Sequence, residues 1–185
     1  MKGYYRNVVL GVLGISCWLA CSAFAQELRL DSTAVASALK PGQATLLDAL
    51  RISTSLGKAL SGRYEIKNGS LQIVVFVLKP DDRNLSVIVD VQSGKIARTE
   101  TSSNNEDIVA MQYQISYTRD ATKTLIQAVS AAQKANPGFL AIGAYGTRRE
   151  IPPEPGKGLV VEKKPVAQIT LLRGANTKVV TEPLD

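Results

Sequence analysis

With 185 residues, 45% of them hydrophobic and 21% charged, the chain has material for a packed core in one large domain or two small ones. It contains no histidine, and its two cysteines, Cys17 and Cys21, both lie close to the N-terminus, so residue type excludes Ser-His-Asp and Cys-His catalysis and histidine-based zinc sites. The net charge of +6 is mild and its basic residues are scattered, with only Arg148-Arg149 and Lys163-Lys164 adjacent and no aromatic residues interleaved, a pattern that argues against nucleic acid as a partner.

Residues 1–25 read as a signal peptide. Lys2 and Arg6 give the positive start, Val8 to Ala20 the apolar stretch, and Ala23-Phe24-Ala25 the small-x-small pattern that precedes cleavage. The apolar run is shorter than the roughly 20 residues that span a bilayer, so no membrane span is expected after processing. Cleavage between Ala25 and Gln26 would remove both cysteines and, with Lys2 and Arg6, two positive charges, leaving +4. Acylation of Cys21 is the alternative, but Trp18 stands where a small aliphatic residue is wanted. The expected destination is the periplasm or the exterior.

Residues 26–41 form a leader with no strong period, expected as loop or extended chain up to Pro41-Gly42. The first folded unit covers residues 42–101. Leu46, Ala49, Leu50, Leu56, Ala59 and Leu60 recur at helical spacing between Gln43 and Leu60, and Thr45-x-x-Asp48 resembles a capping box. A β-meander follows. Asn68-Gly69 between apolar runs signals a type I′ hairpin, Lys79 to Arg83 turns the chain again, and Gln92-Ser93-Gly94 turns it a third time. Leu71 to Leu78 is apolar on both faces and needs cover on both: one from the preceding helix, the other from the second half of the chain or a second subunit.

The second unit covers residues 102–185. Ser103-x-x-Glu106 reads as a capping box, and the stretch from Glu106 to Asn136 has neither glycine nor proline, which predicts one long helix ended by Asn136-Pro137-Gly138. Alternation over Val109, Met111, Tyr113, Ile115 and Tyr117 would fit a strand instead; the cap decides for helix. Phe139 to Arg149 reads as a strand, Ile151 to Gly158 as a proline-rich loop, and Leu159 to Lys163, Val166 to Leu172 and Lys178 to Thr181 as a second meander, with Gly174 in its last turn. The halves share words. Thr45-Leu46-Leu47-Asp48-Ala49-Leu50 aligns with Thr124-Leu125-Ile126-Gln127-Ala128-Val129, and Val89-Asp90-Val91-Gln92-Ser93-Gly94 with Ile169-Thr170-Leu171-Leu172-Arg173-Gly174, at offsets of 79 and 80. We read an internal duplication, degenerate in its second copy.

No side chain demands catalysis. Asp90, a carboxylate beside a glycine turn, is expected to accept turn N–H groups while Gly94 takes positive φ. Asp81-Asp82 reads as a solvated turn and Glu106-Asp107 as a helix start, without the spacing of a calcium loop. Gly156-Lys157-Gly158 lacks the further residues of a phosphate loop. Tyr113 and Tyr117, four apart, read as helix packing. No metal or cofactor is expected.

The order of helix, Tyr64 strand, apolar strand and Val89-Asp90-x-x-Ser93-Gly94-Lys95-Ile96 resembles the PepSY family of small extracytoplasmic domains. The match runs over Gln43 to Thr99 and more loosely over Thr124 to Asp185, where Thr170 or Leu171 stands in place of the aspartate. The resemblance implies an α+β fold of two PepSY-like, cystatin-like units, each a helix packed on an antiparallel meander sheet. It also implies a non-catalytic role in binding, inhibiting or regulating another envelope protein, with a peptidase as one partner class, because the domain occurs in propeptides of thermolysin-like metallopeptidases. It supplies no catalytic residues. Two alternatives stand beside it: a structural homodimerisation module using the doubly apolar strand, and an enzyme working through carboxylates alone.

Intact mass of the exported protein is expected to correspond to Gln26–Asp185, allowing for cyclisation of the new N-terminal glutamine. A mass carrying a diacylated Cys21 would overturn that cleavage.

Overall fold

The computed structural model describes residues 30–101, 105–152 and 161–185. Ala23, Ala25, Gln26, the Ser103-x-x-Glu106 box and the Pro153 to Gly158 part of the loop lie outside them or outside the described side chains. The protein is α+β, with four helices and a seven-stranded antiparallel sheet among the described residues. The helices are α1 (Ser32–Ala38), α2 (Leu46–Ser53), α3 (Asn105–Thr118) and α4 (Leu125–Ala135). The strands are β1 (Lys58–Lys67), β2 (Ser70–Leu78), β3 (Asn84–Asp90), β4 (Ile96–Thr101), β5 (Leu140–Ile151), β6 (Glu162–Arg173) and β7 (Asn176–Pro183). Their order across the sheet is β4-β3-β2-β1-β5-β6-β7, so the two predicted meanders are halves of one sheet, joined where β1 meets β5.

Four sequence expectations change. The leader is partly helical: Asp31 caps α1 by accepting the Ala34 N–H at 2.9 Å, and Val35 is buried in the main core. The first main helix ends at Ser53 rather than near Leu60. The Ser53 hydroxyl donates to the Ala49 carbonyl and Thr54 to Arg51, side-chain bonds that compete with the helix ladder. Leu60, instead of closing that helix, is buried in β1 beside a bulge.

The long helix divides in two. After Thr118 the chain crosses from one sheet face to the other, and Thr124 starts α4 with a complete capping box, accepting the Gln127 N–H while Gln127 accepts that of Thr124. Finally, β6 is one strand that runs through Pro165. The Pro165 nitrogen faces the β7 side, where that strand has ended at Pro183, and no ladder bond to β5 is lost.

Alternation along β2 explains both faces. Ile73, Val75 and Val77 join the main core with α1, α2 and α4, together with Val87, Val89, Ala144, Ile169 and Leu171. Val74 and Phe76 point to the other face and form a second cluster with Leu60, Ile88 and Met111 of α3. The second cover for the doubly apolar strand is therefore α3 of the same chain. At about 25 cal/mol per Å² of apolar surface, each fully buried Val, Ile or Leu in these clusters contributes roughly 1.5–3 kcal/mol before entropy is set against it.

Gly57 is where α2 hands over to β1. Its φ is +151°, and a Cβ there would lie 2.3 Å from the Leu78 carbonyl oxygen, a backbone atom that cannot step aside. Gly57→Ala should therefore lose on the order of 3 kcal/mol in urea unfolding. A midpoint within error of the parent would show that this junction relaxes freely.

Candidate functional site

The turn residues singled out in the sequence hold the chain in shape. Asn68 and Gly69 have φ of 53° and 75°, both positive as a type I′ turn requires, between the paired residues Lys67 and Ser70. Gly174, at φ 59°, opens the two-residue turn between β6 and β7. Asp90 accepts both the N–H and the hydroxyl of Ser93 at 2.7 Å, while the N–H of Gly94, at φ 65°, donates to the Asp90 carbonyl at 2.9 Å. The Ser93 hydroxyl, then the Ser93 N–H, hold the Asp90 carboxyl below its ordinary pKa.

These bonds serve a larger join that the sequence left unseen. Ala44 donates its N–H to the Val91 carbonyl at 2.8 Å and accepts the Tyr64 hydroxyl at 2.8 Å. Buried Tyr64 of β1 and the Asp90–Gly94 turn thus meet on the segment that enters α2, whose own capping box, Thr45 with Asp48, begins at the next residue. Burial, with the Asp48 carboxylate nearby, raises the Tyr64 phenol so that it stays protonated and donating. The residues that carry the PepSY resemblance are therefore structural in their contacts. Thr170 pairs with Gly143 and Val179 within the sheet and sits in no equivalent turn.

Two exposed regions offer binding chemistry. The first is the outer edge of β7, the last strand of the sheet. Its turn closes on Arg173 and Asn176, so by antiparallel alternation the backbone N–H and C=O groups of Thr177, Val179 and Thr181 point away from β6. Val179 is 56% exposed. Beside it, Thr147, Arg148, Arg149, Val166, Gln168 and Thr181 line a shallow depression of about 330 Å³. The opposite edge, β4, is shielded differently, by the Arg98–Glu100 ion pair at 2.6 Å and a register shift against β3.

The second region is the outer side of α3. Tyr113 and Tyr117 stack with centroids 5.8 Å apart, and Arg148 lies over the Tyr117 ring at 5.1 Å while donating to the Ser116 carbonyl at 2.7 Å. Reading Tyr113 and Tyr117 as a packed pair missed Val109, four residues earlier, which extends them into a stripe; the repeated spacing of four was the available signal.

Among the described residues no group of His, Cys, Asp and Glu stands together as a metal site would need, and no helix is long and apolar enough to cross a membrane. Compared with known proteins, the chain matches no family model, no curated sequence and no solved structure.

Because its folded pKa is lowered, the Asp90 carboxylate supports the turn fully above its unfolded value, near 4, and that support fades as pH falls through the folded value. The Ser93 amide resonance should therefore titrate with a midpoint below that of an ordinary aspartate. A midpoint at or above 4 would show that the carboxylate is not held by Ser93 in solution.

Proposed function

We propose that this chain is an exported, non-catalytic binding module of PepSY-like build, which recognises an extended segment of another envelope protein and so inhibits or regulates it, a peptidase being the partner class the resemblance favours. The observation that carries the proposal is the outer edge of β7. Thr177, Val179 and Thr181 present a row of main-chain donors and acceptors, and the adjoining depression can take alternate side chains of an added strand. The signal-like N-terminal pattern supplies the exported location.

The two-unit reading draws on element order. A capped helix leads into a central strand in each half, α2 into β1 and α4 into β5, and the turns at Gly94 and Gly174 follow at an offset of 80, one more than the 79 between the caps Thr45 and Thr124. On this reading the second copy has no counterpart of β2, and β5 pairs directly with β6. The dimerisation alternative loses its first argument, since α3 covers the second face of β2, but the β7 edge could also pair with its own copy.

A photo-cross-linking residue placed at Val179 should capture a second protein in the cell envelope, whereas one at Thr99 on β4 should not. An adduct of twice the chain mass would assign the edge to a homodimer. Peptide, ester or glycoside hydrolysis that disappears on replacing a single Asp or Glu would overturn the non-catalytic reading.

A further inference from the structure

As an edge strand β7 carries few of the usual guards against pairing with another chain. All eight of its residues pair with β6 without a register shift, and Pro183, which has no N–H to offer, stands only at its end. An edge lysine ordinarily reaches out and repels an approaching strand. Lys178 instead lies over the Phe139 ring at 4.2 Å and donates to the Asn136 side-chain oxygen.

Alternation puts half-buried Lys178, Val180 and Glu182 on one face of the strand. Thr177, Val179 and Thr181, whose main-chain groups point outward, lie exposed on the other. Arg173 shares the Phe139 ring with Lys178, at 4.5 Å, and neither cation meets a carboxylate among the described residues. Glu182 meets no cation among them either. At about 3.3 Å per residue, Lys178 and Glu182 stand about 13 Å apart along the strand, too far to pair within one chain.

We propose that β7 pairs antiparallel with β7 of a second copy of this chain, about a two-fold axis at Val180, and that this dimer holds the edge until a partner strand displaces it. The outward main-chain groups sit on every second residue, so the axis must pass through a residue rather than between two. An axis at Val180 sets Val179 opposite Thr181 of the second copy in reciprocal main-chain bonds. It also sets Lys178 opposite Glu182 of the second copy, once on each side of the axis. Those are non-hydrogen-bonded positions, where Cα atoms stand about 4.5 Å apart and opposite charges stabilise the pairing.

Neighbouring registers lack that match. An axis at Val179 would set Lys178 opposite Val180 and Glu182 opposite Asn176, and one at Lys178 would set that lysine opposite itself. A foreign strand can use the same main-chain groups, but the chain's own segment is self-complementary: reversed, Lys178-x-Val180-x-Glu182 meets itself with every charge opposed. The inference rests on the reading of β7 as a strand-accepting edge and names the occupant a partner must compete with.

The test uses the whole processed chain in analytical ultracentrifugation, where the parent should dimerise reversibly with concentration. Lys178→Glu and Glu182→Lys each put like charges on both sides of the axis and should raise the dimer dissociation constant about tenfold. Mixing the two singly substituted chains should restore dimerisation to the parent's strength, because each supplies the charge the other has lost. That recovery also shows that both variants fold. Val180→Cys should oxidise readily to a disulfide-linked dimer, the processed chain having no other cysteine, whereas Val179→Cys, offset from its copy along the strand, should not.

A chain that stays monomeric up to about 1 mM, a dimer indifferent to both charge substitutions, or no recovery on mixing would each overturn the proposal. If the chain is monomeric and the Val179 cross-linker captures another envelope protein, this inference fails and the partner reading stands. If mixing restores the dimer and the cross-linker captures only a second copy, the dimer stands and the partner reading fails.

Discussion

The pairing of β1 with β5 is the constraint on which the rest depends. It spans three registered pairs, Ser61 with Tyr145, Gly62 with Ala144 and Arg63 with Gly143, yet it is the join that makes two meanders one sheet. The small residues at this seam have a packing reason. A Cβ on Gly62 would meet Leu46 at 3.0 Å and Leu50 at 3.3 Å, so the bare backbone is what lets α2 settle onto the middle of the sheet. Leu46, Leu50, Leu125 and Val129 then share one core above the seam, and neither half has to close its own.

A sheet covered in the middle still has two faces and two edges, and each is managed differently. The main face is closed by three helices, the reverse face in part by α3, whose Thr118 approaches so near to Gly146 that a Cβ there would lie 2.2 Å from its methyl carbon. Arg148 ties the same helix end to β5. At the margin, Phe139 lies beneath Arg173 at 4.5 Å and Lys178 at 4.2 Å, which fastens the end of α4 to the last hairpin. Among the described residues, what is left open is the β7 edge and the outer side of α3, both in the second half of the chain.

The sequence by itself determined the features set by neighbours in the chain. Asn68-Gly69 demands a tight hairpin, Thr45-x-x-Asp48 starts a helix, Asp90 and Gly94 close a turn, and alternation in Leu71 to Leu78 demands cover on two sides; each is a local rule of backbone geometry or side-chain period. The match between Thr45 and Thr124 also contained the start of α4, although the absence of glycine and proline before it suggested an unbroken helix.

Only the tertiary structure decided what depends on residues far apart. Which element covers the second face of β2, that Tyr64 and Val91 meet at Ala44, that two meanders share a seam, and that Tyr117 comes under Arg148 are all outcomes of packing between segments tens of residues apart. Periodicity tells a segment that it must bury one side, but the partner for that side is chosen by shape and volume across the whole fold, and those are not written in any window of the chain.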